Sequence, residues 1–165
     1  MDLLRGRSLE VVTVVTIVAL DQATKAMVRA RLPLHDSVTV IPGFFDLTHV
    51  RNTGAAFGMM NAVEFAYKPV VMVLVALVAL AAVASYALTI AREQRAARLG
   101  LALILGGAIG NLIDRATSGF VLDFVDVYWR GIHFWAFNVA DSAITVGVVL
   151  MLLDAVGVGR VPETV

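Results

Sequence analysis

Two aspartates, Asp123 and Asp141, stand among apolar residues in the segments VLDFVDVYW and FNVADS. A lone carboxylate is costly to transfer from water into apolar surroundings, so each of them needs a partner or must be neutralised. Two carboxylates that share one proton across a water molecule supply a general acid and a general base at one place. Such a pair could hydrolyse a peptide bond, with the ionised carboxylate activating the water.

The local sequence predicts different environments for these two aspartates. Residues 121–129 alternate as in a half-buried strand, which places Asp123 on the same face as the valines and should raise its pKa. Asn138 can cap a helix that follows it. Asp141 would then occupy the third helical position, where the helix dipole favours a negative charge. A plain capping role for Asp141 stays open, although it leaves Asp123 unexplained.

Three further polar residues follow the glycines of the segment GGAIGNLIDR. Because Gly106 and Gly110 are four residues apart, this helix can approach a neighbour closely. Asn111, Asp114 and Arg115 are spaced i, i+3 and i+4, so they share one helix face. They form either the wall of a site or a structural polar network.

Asp21 and Lys25, in the segment DQATK, also share a helix face because they are four residues apart. One interpretation is a salt bridge at the membrane edge, with Lys25 snorkelling outward to water. The other is that Asp21 orients further residues of the site.

The long connection over residues 29–68 contains an alternating segment, 45–50, that predicts a half-buried strand. The segment NTGAAFG, which includes Asn52 and Gly54, follows it. Its glycines indicate a tight turn or a close backbone approach. A simple loop into the next helix is the alternative, but loops of this length are usually functional.

Four apolar segments must position these groups. The chain is 59% hydrophobic and only 16% charged, whereas soluble domains have about 25% charged residues. We therefore expect a membrane protein of one domain over residues 1–165. The predicted fold is all-α, with four transmembrane helices, a small extracytoplasmic β-element and a mobile loop. Segments long enough to span the hydrocarbon lie at approximately 9–28, 69–90, 99–115 and 136–157.

Basic residues near the ends of the spans favour an orientation with both termini in the cytoplasm. Arg95 and Arg98 would then lie inside, together with Arg5, Arg7, Arg92 and Arg160. The first apolar segment lacks an A-x-A cleavage site, so we expect a permanent span rather than a cleaved signal peptide. Both aspartates and the other polar segments would meet at the outer membrane face, which predicts one site there.

Other chemistries are less favoured by the sequence. The absence of cysteine excludes disulfides, thiolate metal sites and a cysteine nucleophile. The three histidines are scattered, so no metal site and no organic cofactor are indicated, and the zero net charge gives no indication of nucleic acid. A nucleophilic pair of Ser142 and Lys25 stays open. So does a small transporter or proton channel, although its acids would not be expected to cluster at one face.

Five segments occur in a fixed order between the four spans: DQATK, NTGAAFG, GGAIGNLIDR, VLDFVD and FNVADS. Their combination resembles lipoprotein signal peptidase, also called signal peptidase II, over nearly the whole chain. The resemblance implies an aspartic endopeptidase of the bacterial cytoplasmic membrane. Such an enzyme removes the signal peptide from prolipoproteins, just before a cysteine that carries a diacylglyceryl group. The implied partners are this lipid-modified substrate and membrane lipid, and we expect a monomer.

The resemblance also implies roles for individual residues. By motif, Asp123 and Asp141 match the catalytic pair of the family. The NTGAAFG loop is expected to close over the substrate and to exclude water. The residues expected to line the pocket or to support the pair are Asp21, Lys25, Asn52, Gly54, Asn111, Asp114, Arg115 and Asn138.

Overall fold

The computed structural model describes residues 8–54, 63, 65–91 and 93–157, and these form four helices and four strands. The helices are α1 (Ser8–Arg31), α2 (Lys68–Thr89), α3 (Arg95–Ser118) and α4 (Val139–Ala155). The strands are β1 (Ser37–Ile41), β2 (Phe45–Asn52), β3 (Val121–Trp129) and β4 (Ile132–His133).

Each predicted span corresponds to one helix, but the ends differ from the predicted ones. Helices α1 and α3 extend beyond the predicted 9–28 and 99–115 at both ends. Helix α3 stops at Gly119, whose left-handed backbone, with φ of 79°, lets its N–H bond Arg115 O. Helix α4 is shorter than the predicted 136–157, because Phe137 still pairs with Val125 of the sheet and Asn138 caps the helix.

Three of the described helices, α1, α2 and α3, are long and apolar enough to cross a membrane. Their outward side chains are apolar: α2, for example, exposes Leu74, Val75 and Val78. Helix α4 has 17 residues, which corresponds to about 25 Å, near the lower limit for a span. Its place as a fourth span therefore stays a prediction from the sequence.

The four strands form an antiparallel sheet in the order β1-β2-β3-β4. Strands β2 and β3 confirm the predicted alternating segments, and the register pairs Val50 with Asp123. A turn at Arg130 and Gly131, both of which have positive φ, joins β3 to β4. Strand β1 was not predicted, and all five of its residues are exposed, so no buried face marks it in the sequence.

Helix α3 contacts each of the other three helices. A Cβ atom on Gly106 would lie 2.9 Å from Ile17 Cβ of α1, and one on Gly110 would lie 2.6 Å from Asp21 Oδ2. A Cβ atom on Gly107 would collide with the Ala140 carbonyl oxygen of α4. The close approach predicted from the glycines is confirmed, and it brings α1 and α4 to the polar end of α3.

Candidate active site

Asp123 and Asp141 line one cavity, which has a volume of about 770 Å³. Asp123 on β3 is only 2% exposed, and Asp141 in the first turn of α4 is half-buried. Its other polar lining residues come from β2 and α3 and are Asn52, Asn111 and Arg115. Its apolar wall comes from the helices α2, α3 and α4 and includes Ala76, Ala79, Ala108 and Ile144. The cavity thus joins two carboxylates to an apolar space between helices.

The Asn138 side chain connects the two aspartates. Its Nδ2 donates to Asp123 Oδ1 at 2.7 Å, and its Oδ1 accepts from the Asp141 backbone N–H at 2.9 Å. The backbone of the preceding residue, Phe137, exchanges hydrogen bonds with Val125 at 2.8 and 3.1 Å. The chain therefore passes from the sheet into α4 beside Asp123. The predicted cap is confirmed, and the same amide also contacts the second aspartate.

Two further amides hold the outer oxygens of the pair. Asn52 Nδ2 donates to Asp123 Oδ2 at 3.1 Å, and Asn111 Nδ2 donates to Asp141 Oδ1 at 2.8 Å. Neutral donors of this kind stabilise a carboxylate without adding a charge to the site. Each aspartate is thus oriented by side chains from elements that are distant in the sequence.

Lys25 lies inside the helix bundle and is fully buried, as are Asp21 and Asp114. Its Nζ lies 2.8 Å from Asp21 Oδ2 and 3.0 Å from Asp114 Oδ2, and it donates to Asn111 Oδ1 at 3.0 Å. The interpretation that Lys25 snorkels outward is therefore wrong. Its partners come from both α1 and α3, and they take the place of the water that a snorkelling ammonium would contact.

The NTG part of the predicted loop reaches the same region. Arg115, which lines the cavity, donates from Nη2 to Gly54 O at 3.1 Å, and Lys68 Nζ donates to Thr53 Oγ1 at 3.0 Å. Residues 55–58 of the NTGAAFG segment lie outside the described residues. Closure of this loop over a substrate stays a prediction.

The pKa of Asp123 rises from its usual value of 3.8 to about 7. Burial is the largest cause, and the neighbouring negative charge of Asp141 adds to it. The hydrogen bonds from Asn52 and Asn138 and the charge of Lys25 act in the opposite direction. The direction predicted from the valine face of β3 is confirmed, and Asp123 holds its proton over much of the range below neutrality.

Sequence reasoning missed two residues of the buried network. Arg29 Nη2 lies 2.9 Å from Asp114 Oδ1, and Gln22 Nε2 donates to Asp21 Oδ2 and Gly110 O, both at 3.1 Å. Arg29 could have been found, because it follows Lys25 by four residues on the same helix face. Gln22 offers no such spacing, since its role depends on the close contact between α1 and α3.

The alternative pair of Ser142 and Lys25 is not supported by the contacts of either residue. Ser142 Oγ donates to Asn138 O at 3.0 Å, within its own helix turn. Lys25 Nζ is engaged by Asp21, Asp114 and Asn111. Each of the two side chains therefore has its own hydrogen-bond partners, and neither partner set includes the other residue.

Comparison with known proteins gives a consistent result. The family model for signal peptidase (SPase) II matches residues 13–157. A lipoprotein signal peptidase from Geobacter metallireducens is 48% identical over 150 residues and covers 91% of both chains. Another, from Solibacter usitatus, is 46% identical over 138 residues and covers 84% of both chains. A solved structure described as a bacterial membrane enzyme has a TM-score of 0.81 at 31% identity, covering 96% of this chain and 95% of that chain.

Proposed function

Because the chain belongs to the signal peptidase II family, we propose that it removes the signal peptide from lipid-modified prolipoproteins as a membrane-embedded aspartic endopeptidase. Asp123 and Asp141 are the proposed catalytic pair. The observation that carries this proposal is that both carboxylates line one cavity and contact the same amide, Asn138. A peptide carbonyl and a water molecule placed in this cavity would meet both aspartates.

The two aspartates are assigned different roles. Asp141, at the positive end of the α4 dipole, is the ionised member that takes a proton from the attacking water. Asp123, whose pKa is raised to about 7, is the protonated member. It donates a hydrogen bond to the carbonyl oxygen of the scissile bond and so stabilises the charge that develops there. A proton from the pair then reaches the leaving amine, and the pair returns to its starting state.

The amides support this division of roles. Asn111 donates to Asp141 and Asn52 donates to Asp123, so neither carboxylate can rotate freely. Arg115, on the wall of the cavity, anchors Gly54 at the entry to the NTGAAFG segment. The residues proposed to support the aspartate pair are Asn52, Asn111, Arg115, Asp21, Lys25, Asp114 and Asn138.

The cavity also suits a substrate that lies in the membrane. Its apolar wall comes from α2, α3 and α4, and its polar residues lie where the helices meet the sheet. A diacylglyceryl chain would enter from the hydrocarbon while the peptide bond meets water at the interface. We propose four spans with both termini in the cytoplasm, the site near the outer face of the bacterial cytoplasmic membrane, and a monomeric enzyme.

The test is cleavage of a diacylglyceryl-modified prolipoprotein by the purified protein in detergent. Asp123→Asn and Asp141→Asn keep the side-chain shape and remove the proton transfer, so each should lower kcat by about 10³-fold or more. Asp126→Asn, on the opposite face of β3, is the matched control and should retain turnover. Near-normal cleavage by either variant of the pair would reduce that aspartate to a cap or a network member. No cleavage by the wild type would restore the transporter hypothesis.

A further inference from the structure

We propose that Lys25 is a positioning residue that fixes the separation of Asp123 and Asp141 although it touches neither carboxylate. The inference rests on the proposed function of Asp123 and Asp141. It states that a second, buried pair of carboxylates aligns these two aspartates. That second pair is Asp21 and Asp114, and the Lys25 ammonium lies between them.

Each carboxylate of the second pair holds the peptide unit that precedes one catalytic aspartate. Asp21 Oδ1 accepts the backbone N–H of Ala140, directly before Asp141, at 3.1 Å. Asp114 Oδ2 accepts the backbone N–H of Leu122, directly before Asp123, at 3.1 Å. One aspartate therefore fixes the start of α4 and the other fixes the start of β3. The distance between these two anchors depends on the ammonium that binds both of them.

The third contact of Lys25 acts on a side chain of the site. Its Nζ donates to Asn111 Oδ1 at 3.0 Å, and the Nδ2 of the same amide donates to Asp141 Oδ1 at 2.8 Å. A donor at Oδ1 prevents the amide from reversing, because reversal would place an NH₂ group against the ammonium. Asn138 Nδ2 donates to the same Oδ1 at 3.2 Å, so Lys25 and Asn138 together set which end of Asn111 faces Asp141.

A lysine is required because its ammonium group has three protons and here has three acceptors: Asp21 Oδ2, Asp114 Oδ2 and Asn111 Oδ1. The side chain is fully buried, so its three partners are groups of the protein itself. A planar guanidinium would not direct three donors to these positions from the same enclosed space. Loss of the ammonium should let the two anchored peptide units move apart.

Two variants separate this positioning from the electric field of the charge. Lys25→Met keeps the length of the side chain and removes both the charge and the three bonds. Asp21→Asn/Lys25→Met removes one charge of each sign, so the field at the site stays close to that of the wild type. Asp114 keeps its contact with Arg29 in both variants. We call Asp21→Asn/Lys25→Met the charge-neutral variant. If Lys25→Met folds poorly, the charge-neutral variant still tests the proposal.

The matched control is the ion pair of Glu10 with Arg98, which joins the same two helices at their other end. It lies fifteen residues before Lys25 along α1, about 22 Å away at 1.5 Å per residue. Glu10→Gln/Arg98→Met should lower the unfolding temperature and leave kcat and its pH profile unchanged. A general loss of helix contact is thereby distinguished from misplacement of the pair.

The measurements are kcat, KM and the pH profile for the lipid-modified prolipoprotein, with unfolding temperatures in the same detergent. We expect kcat at each variant's own pH optimum to fall about 100-fold in both Lys25 variants, with KM within about 3-fold, because small misplacements have effects of this size. Lys25→Met alone should shift the profile to higher pH, since it also removes a positive charge.

Recovery of kcat in the charge-neutral variant, or full kcat for Lys25→Met at a shifted optimum, would show that the lysine acts only through its field and would overturn the proposal. An equal loss of kcat in the Glu10/Arg98 control would also overturn it. Cleavage by the wild type tests the proposed function. The role of Lys25 is tested by the ratio of each variant's kcat to the kcat of the wild type, so the two proposals can fail separately.

Discussion

Asn138 combines two tasks that are usually given to different residues. Its Oδ1 caps α4 through the Asp141 N–H, and its Nδ2 donates to Asp123 at 2.7 Å. It is also fully buried, so both ends of the amide depend on protein partners. At the scale of single residues, the site is therefore built from amides that orient carboxylates.

Asn138→Ser and Asn138→Ala separate the two tasks. Serine caps a helix about as well as asparagine but has no NH₂ group to offer Asp123. Asn138→Ala should lower the free energy of unfolding by about 1 kcal/mol more than Asn138→Ser, because only alanine also loses the cap. Both variants should lower kcat about 10-fold or more. Wild-type turnover by Asn138→Ser would show that the amide serves the helix alone.

The pH dependence of turnover follows from the coupled pair. In the proposed mechanism, activity needs one ionised and one protonated carboxylate, so the rate should fall on both the acidic and the alkaline side. Since the pKa of Asp123 is about 7, the alkaline fall should begin near neutral pH. The profile of kcat/KM is the measurement. A flat profile from mildly acidic to mildly basic pH, with chemistry limiting, would argue against the pair.

The raised pKa of Asp123 also makes stability depend on pH. Between its usual value of 3.8 and about 7, the folded protein holds a proton that the unfolded chain releases. Stability should therefore fall as the pH rises through this window. Asp123→Asn removes the effect, so its unfolding temperature should exceed that of the wild type at pH 8 and approach it near pH 4. An equal difference at both pH values would contradict this assignment.

At the scale of elements, the contact of α1 with α3 determines where the polar network lies. Alanine at a helical glycine usually stabilises by about 0.5–1 kcal/mol. Gly110→Ala should do the reverse, because its Cβ would lie 2.6 Å from Asp21 Oδ2. We expect a loss of about 1–3 kcal/mol in the free energy of unfolding, as for overpacked cores, together with lower kcat. A stabilised Gly110→Ala protein would show that the helices can separate without cost.

Much of the element pattern could be predicted from the sequence. The apolar segments predict the helices, and alternation identifies β2 and β3, because each of these patterns is local. Strand β1 escaped prediction because its residues are exposed on both faces. The inward direction of the Lys25 side chain could not be predicted either, because a snorkelling lysine and a buried one have the same i, i+4 spacing from Asp21. Only the partners that α3 supplies across the bundle distinguish the two.

The candidate site shows the same division. Local patterns of burial and capping predict Asp123, Asp141 and Asn138. In the structure the two aspartates line one cavity, and Asn138 is hydrogen-bonded to both of them. The bond from Asp114 to the Leu122 N–H could not be predicted. It joins a helix end to the next strand through a turn whose geometry depends on Gly119.

At the scale of the whole molecule, the β3–β4 hairpin presents exposed aromatic and aliphatic residues. Trp129 is 65% exposed, Trp135 is 61% exposed and Ile132 is 78% exposed. Tryptophan favours the boundary between lipid headgroups and hydrocarbon. The hairpin therefore suits the membrane interface beside the site.

The two tryptophans of the chain, Trp129 and Trp135, both lie at this hairpin. In vesicles with lipids brominated near the headgroup, intrinsic fluorescence should be quenched to less than about half, because exposed tryptophan rings favour the boundary with lipid. The variants Trp129→Phe and Trp135→Phe assign the signal to each ring. Emission insensitive to bromine would place the hairpin in water.

The origin of the site residues along the chain has a consequence for biogenesis. Lys25 comes from the first helix, Asn52 from the second strand, and Asp141 from the last helix. Under the proposed function, the carboxylate that activates the water is synthesised after Asn52 and Asn111, the amides that hold the aspartates from β2 and α3. On that proposal, a nascent chain that ends before α4 lacks Asp141 and should not cleave a peptide bond. Under the proposed function, activity should therefore begin only after α4 has been synthesised.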